Sequence, residues 1–199
     1  MLLSAIEILA TILGIVYLYL EYKAKYALWI VGLFWSACYV FMFWHQGMMA
    51  WVITWAYYFF ANIYGMIAWK RKDKETEHPP TNLKKSWIMP ILLISVVLLI
   101  PLWLLEVQYN PYANNTWVIA GTVFSTAIGF TGMFLLAKKI VQQWFVWITV
   151  NLIYTAINIY TGYIGNQPTH YFTAAFFLGY TVMSVLGYLN WAKLAKQSC

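Results

Sequence analysis

Apolar residues run in seven long stretches, at roughly 2–22, 27–45, 48–69, 87–105, 117–137, 142–163 and 170–191, each close to the ~20 residues a helix needs to cross a ~30 Å hydrocarbon core. The breaks between them are short. The exception follows the third stretch, where Lys70, Arg71, Lys72, Asp73, Lys74, Glu75 and Glu77 open a polar segment that lasts to Ser86. The pattern predicts seven transmembrane helices and one charged linker.

Composition removes the alternatives. Of 199 residues, 63% are apolar and 9% charged, whereas a soluble domain carries roughly 25% charged residues to face water. A soluble enzyme, a disordered chain and a disulfide-stapled secreted module are excluded as first readings. Cys38 and Cys199 form neither a disulfide framework nor a metal-ligand pattern. The first 22 residues lack a basic leading region and a cleavage site, so they read as a retained first helix.

Charge placement gives an orientation. Lys23 and Lys25 follow the first span, and Lys70, Arg71, Lys72, Lys74, Lys84 and Lys85 lie between the third and fourth. Lys138 and Lys139 follow the fifth, and Lys193 and Lys196 end the seventh. Every basic residue therefore falls on one side of a seven-span chain. The positive-inside rule makes that side cytoplasmic, with the N-terminus outside and the C-terminus inside. The net charge of +6 is thus a topology signal with a weaker lipid-surface component, and no nucleic-acid partner is implied.

The two halves of the chain resemble each other. Placing Trp69 on Trp191 brings Gly65 onto Gly187 and Tyr58 onto Tyr180, and Trp29-Ile30 reads like Trp147-Ile148. Two three-span units joined directly would be inverted, so one additional crossing is needed to make them parallel. The expected organisation is 3+1+3: a first repeat over residues 1–69, a linker and connecting helix over 70–116, and a second repeat over 117–199. Parallel repeats of this kind occur in transporters, with substrate near the midplane.

Candidate chemistry sits at membrane depth. Trp144, Trp147 and Asn151 share one helix face at i, i+3, i+7, and Trp55, Tyr58 and Asn62 repeat that aromatic–aromatic–amide spacing. At ~1.5 Å per residue, Asn151 lies about 13 Å and Asn62 about 10 Å from the cytoplasmic ends of their spans. Aromatic faces, including Tyr180, suit a flat, cationic ring, and an asparagine can hold an amide or ribose hydroxyls. The same residues could instead pack, with each asparagine bridging two helices. Trp29, Trp69, Trp87 and Trp191, at span ends, read as interfacial belt residues. Glu7 is the acid well inside a predicted span, with Glu21 at the cytoplasmic lip, and Glu7 is the candidate intramembrane acid. No lysine, arginine or proton-relay chain lies at mid-depth, and His45, His78 and His170 read as solvated. No nucleotide loop, zinc motif or nucleophile motif is present. The chemistry binds rather than reacts, with no catalytic residue, metal or cofactor expected.

These residues carry a resemblance. Phe60-Ala-Asn62-Ile-Tyr64-Gly65-Met-Ile-Ala-Trp69, Trp144-x-x-Trp147-x-x-x-Asn151 and Gly187-Tyr188-x-x-Trp191 resemble the PnuC family of bacterial vitamin transporters, and the likeness covers essentially the whole chain. It implies a fold similar to full-length SWEET transporters, a homotrimer, and uptake of nicotinamide riboside by facilitated diffusion across the inner membrane. A cytoplasmic riboside kinase would trap the product. Carried over by position, Trp144, Trp147, Asn151 and Asn62 would line the site. Some relatives have a glutamine near Trp55 and an asparagine near Trp35, where this chain has indoles. Thiamine or riboflavin on the same scaffold therefore stays open as cargo. A non-transporting membrane receptor or assembly protein, in which the tryptophans only pack, is the reading from another class.

Overall fold

The computed structural model describes residues 2–73, 79–110 and 114–197. Lys74, Glu75, Glu77, His78 and Cys199 lie outside them. Seven helices form: α1 (Leu2–Tyr22), α2 (Ala27–His45), α3 (Met49–Asp73), α4 (Lys85–Tyr109), α5 (Thr116–Ala137), α6 (Gln143–Gly165) and α7 (Thr169–Lys196). Six are long and apolar enough to cross a membrane. The seventh, α3, has the length, but Trp51, Trp55, Tyr57, Tyr58, Asn62, Tyr64 and Trp69 dilute its aliphatic content.

Four of the short connections, those after α1, α2, α5 and α6, begin with the same helix closure. Ala24, Gly47, Lys139 and Asn166 have φ of 51°, 72°, 55° and 48°. The next residue's N–H then reaches five residues back, in Lys25 to Leu20 at 2.9 Å, Met48 to Phe43 at 3.0 Å, Ile140 to Leu135 at 3.0 Å and Gln167 to Gly162 at 3.2 Å. One left-handed residue turns the chain, and a terminal carbonyl that would otherwise lack a partner gains one. Only one of the four is glycine, so the other three turns carry no glycine signal in the sequence.

The fourth helix is longer than its apolar core. It runs on to Tyr109, so Glu106 belongs to the helix rather than to an external connection. Pro90 lies in its first two turns, and Pro101 lies inside without ending it. Most of α4 is exposed, with only Leu102 and Glu106 buried.

Two compact units are present. The first comprises residues 1–82, 133–141 and 190–199, and the second residues 83–132 and 142–189. In the first, the ends of four helices meet. The Trp191 indole N–H donates to Glu21 O at 2.9 Å, and Asn190 Nδ2 donates to Tyr22 O at 2.7 Å. The Lys139 ammonium sits 4.5 Å from the centre of the Trp69 ring. Thr81 exchanges backbone hydrogen bonds of 2.9 Å with Lys139 and Val141, tying the segment before α4 to the α5–α6 turn. Lys139 is therefore a buried packing residue as well as a charge on the basic side.

Comparing the units corrects the register of the repeat. In the first, a Cβ on Gly65 would run into the Trp29 ring, and in the second a Cβ on Gly187 would run into the Trp144 ring. The indole that fills the glycine notch is thus Trp29 in one unit and Trp144, not Trp147, in the other. The left-handed residues agree, since Ala24 and Lys139 each stand five positions before that indole. Matching Trp-Ile pairs misled the sequence comparison by one helical turn. Trp29, Trp69 and Trp191 are fully buried, so they are packing residues and not an interfacial belt. Trp87 is 37% exposed.

Candidate substrate-binding site

Set side by side on this register, the two units hold related but unequal polar clusters. On α2, Trp29, Gly32 and Ser36 occupy the positions that Trp144, Trp147 and Asn151 occupy on α6. On α3, Asn62 and Gly65 match Ser184 and Gly187 on α7. Serine and asparagine have exchanged helices between the repeats, and a glycine in one stands for an indole in the other.

In the first unit, Asn62 is buried and its Nδ2 donates to Tyr58 O at 2.8 Å. Its Oδ1 points at Gly32, where a Cβ would collide with it. That oxygen has no hydrogen-bond partner among the described residues. Around it lies an aromatic wall. Trp55 meets Tyr58 edge-on at 5.5 Å and stacks on Tyr39 at 4.2 Å. Trp35 contacts Trp55 at 5.3 Å and Tyr17 at 5.1 Å. The predicted Trp55, Tyr58 and Asn62 are therefore brought together, and Trp35, Tyr39 and Tyr17 join them.

In the second unit, Asn151 Nδ2 donates to Ser184 Oγ at 3.4 Å, and Ser184 Oγ donates to Tyr180 O at 2.8 Å. Tyr154, on the same helix, stacks on Phe177 at 5.0 Å, and Phe177 meets Tyr180 edge-on at 6.2 Å. Gly132 leaves room for Val146 and the Trp147 ring, and the Trp147 Nε1 is buried without a hydrogen-bond partner among the described residues. Trp144 is 1% exposed and fills the Gly187 notch, so its main contact is with α7. Asn151 and Tyr180 join through Ser184, and Tyr154 and Phe177 complete this cluster, while Trp147 lies against the Gly132 position of α5.

The acids and histidines fall differently from expectation. Glu7 is exposed, and its backbone carbonyl accepts from Thr11 Oγ1 at 2.9 Å. The buried acids are Glu21, at 2% exposure, and Glu106, at 3%. Glu106 Oε2 accepts from Asn110 Nδ2 at 2.6 Å. His170 is in α7, half-buried, with its Nδ1 3.1 Å from Asn158 Oδ1. Glu106→Ala removes a buried acceptor and is expected to cost about 1–3 kcal/mol. Thermal unfolding in detergent should show it, with Glu7→Ala shifting stability by less than ~0.5 kcal/mol.

A sequence model of the nicotinamide mononucleotide transporter family matches residues 4–193. The chain belongs to this family. The structure of the family member is similar to a solved one, described as the crystal structure of the vitamin B3 transporter PnuC. The TM-score is 0.73 at 19% identity, over 98% of this chain and 82% of that one. A search of curated protein sequences finds no match. As a PnuC-family protein the chain is a multi-pass membrane transporter rather than an enzyme. The large apolar side chains exposed along its helices, among them Phe60, Val97, Ile100 and Phe172, then face lipid.

Proposed function

We propose that the protein carries nicotinamide riboside across the bacterial inner membrane by facilitated diffusion, and that cytoplasmic phosphorylation traps it. The observation that carries this reading is a buried polar atom in each unit, Asn62 Oδ1 beside the Tyr58, Trp55 and Tyr39 rings and the indole Nε1 of Trp147, with no hydrogen-bond partner among the described residues. Buried polar atoms are costly to leave unmet. A polar, flat-ringed cargo offers donors and acceptors to such atoms and a cationic face to the surrounding rings. The binding candidates are Asn62, Trp55 and Tyr58 in the first unit and Trp147, Asn151 and Tyr180 in the second, where Trp144 packs against Gly187 of α7.

A riboside fits better than its 5′-phosphate. The basic residues stand at helix ends and in the linker, leaving the aromatic clusters without the arginine or lysine that a phosphate dianion requires. Outward placement of the N-terminus, a homotrimer with one pathway per protomer, and a partner riboside kinase complete the proposal.

The test is thermal unfolding of detergent-purified protein with nicotinamide riboside, its 5′-phosphate, thiamine or riboflavin. Nicotinamide riboside alone is expected to stabilise, by about 2.7 kcal/mol at 100 times its Kd. Stronger stabilisation by the phosphate or by another vitamin would replace the riboside as cargo. Stabilisation by none would leave the tryptophans with a packing role only.

A further inference from the structure

Gln143, the first residue of α6, is fully buried, and neither its Nε2 nor its Oε1 has a hydrogen-bond partner among the described residues. Two unmet polar atoms on one buried side chain are unusual, because such a group normally finds a partner or is replaced by an apolar one. An apolar side chain fills the matching place in the first unit. The counterpart of Gln143 one residue before the notch-filling indole is Leu28, also fully buried.

Loop anchoring does not explain it either. That task falls to the preceding residue, Gln142, whose Oε1 accepts from Leu83 N–H at 2.8 Å. Gln143 instead precedes Trp147 by one helical turn and Asn151 by two, on adjoining faces of α6. Trp147 Nε1, one turn on, is a further buried donor without a hydrogen-bond partner among the described residues. The helix thus presents, in sequence, a carboxamide with donor and acceptor both open, an indole, and a second carboxamide.

We propose that Gln143 is a substrate-contacting specificity residue that pairs, donor to acceptor and acceptor to donor, with a primary carboxamide on a ring held against Trp147. One turn of helix rises ~5.4 Å, a separation that a ring substituent can bridge. The inference rests on the nicotinamide reading and sharpens it, since it assigns the carboxamide of the cargo to a particular side chain.

The test compares Gln143→Leu with the wild type, using nicotinamide riboside and the pyridinium riboside that lacks the carboxamide. Without ligand, the variant should unfold at the same or a higher temperature, because two unmet polar atoms are gone. Its Kd for nicotinamide riboside should rise at least tenfold, while its Kd for the pyridinium riboside stays within twofold. Equal effects on both ligands, or on neither, overturn the proposal. Gln143→Met, of the same length and flexible, repeats the measurement if leucine disturbs folding. If the wild type binds neither compound, the nicotinamide reading itself falls and the assignment of Gln143 falls with it. Wild-type binding with an unselective variant removes only the assignment.

Discussion

Gly65→Ala is expected to abolish the folded protein. The added methyl would overlap Cζ3, Cε3 and Cη2 of Trp29. That ring cannot retreat, because it is fully buried and meets Trp69 edge-on at 5.4 Å. Overpacking usually costs about 1–3 kcal/mol and more where nothing can yield, so the effect belongs at or above the top of that range. Size-exclusion chromatography in detergent should show aggregate in place of a symmetric peak. Gly179→Ala is the control, since nothing lies within 4 Å of its Cβ position. There the exchange should gain up to ~1 kcal/mol from helix propensity. Equal behaviour of the two variants would discard the notch as a packing constraint.

Asn151→Leu should remove transport and spare the fold. Ser184 Oγ keeps its own bond to Tyr180 O at 2.8 Å, so deleting the longer contact from Asn151 leaves no buried hydroxyl stranded. What is lost is the amide that would pair with cargo, and uptake of labelled nicotinamide riboside into proteoliposomes should fall about a hundredfold, equivalent to ~2.7 kcal/mol. The unfolding midpoint without ligand should move by less than that of Glu106→Ala. Uptake within twofold of wild type would transfer the binding role away from α6. A collapse of the oligomer would mean that the asparagine bridges helices instead.

Much of this was legible from residues. Helix number and approximate ends follow from apolar length, the aromatic–amide spacing picked out Tyr58 with Asn62 and Trp147 with Asn151, and aligning Trp69 with Trp191 picked out Tyr180. Three features were not. Glu106 looked external because a charge after Leu105 ends an apolar count, whereas Asn110 supplies the partner that lets the helix continue past it. The burial of Trp29, Trp69 and Trp191 depends on glycine notches and on Glu21 O as an acceptor, and those are tertiary facts. Gln143 drew no notice because it stands at a helix start beside another glutamine, where a polar residue is ordinary. Only its complete burial sets it apart.

The fit of indole into glycine also governs the order in which this chain can change. Enlarging residue 65 while Trp29 remains is blocked by collision, but shrinking Trp29 first leaves a void that a later side chain at 65 can fill. A cavity of that kind costs about 3–5 kcal/mol for Trp→Ala, so even the open route passes through a weakened intermediate. Positions 29 and 65, like 144 and 187, are therefore sterically coupled: within each pair the indole must shrink before the glycine can grow.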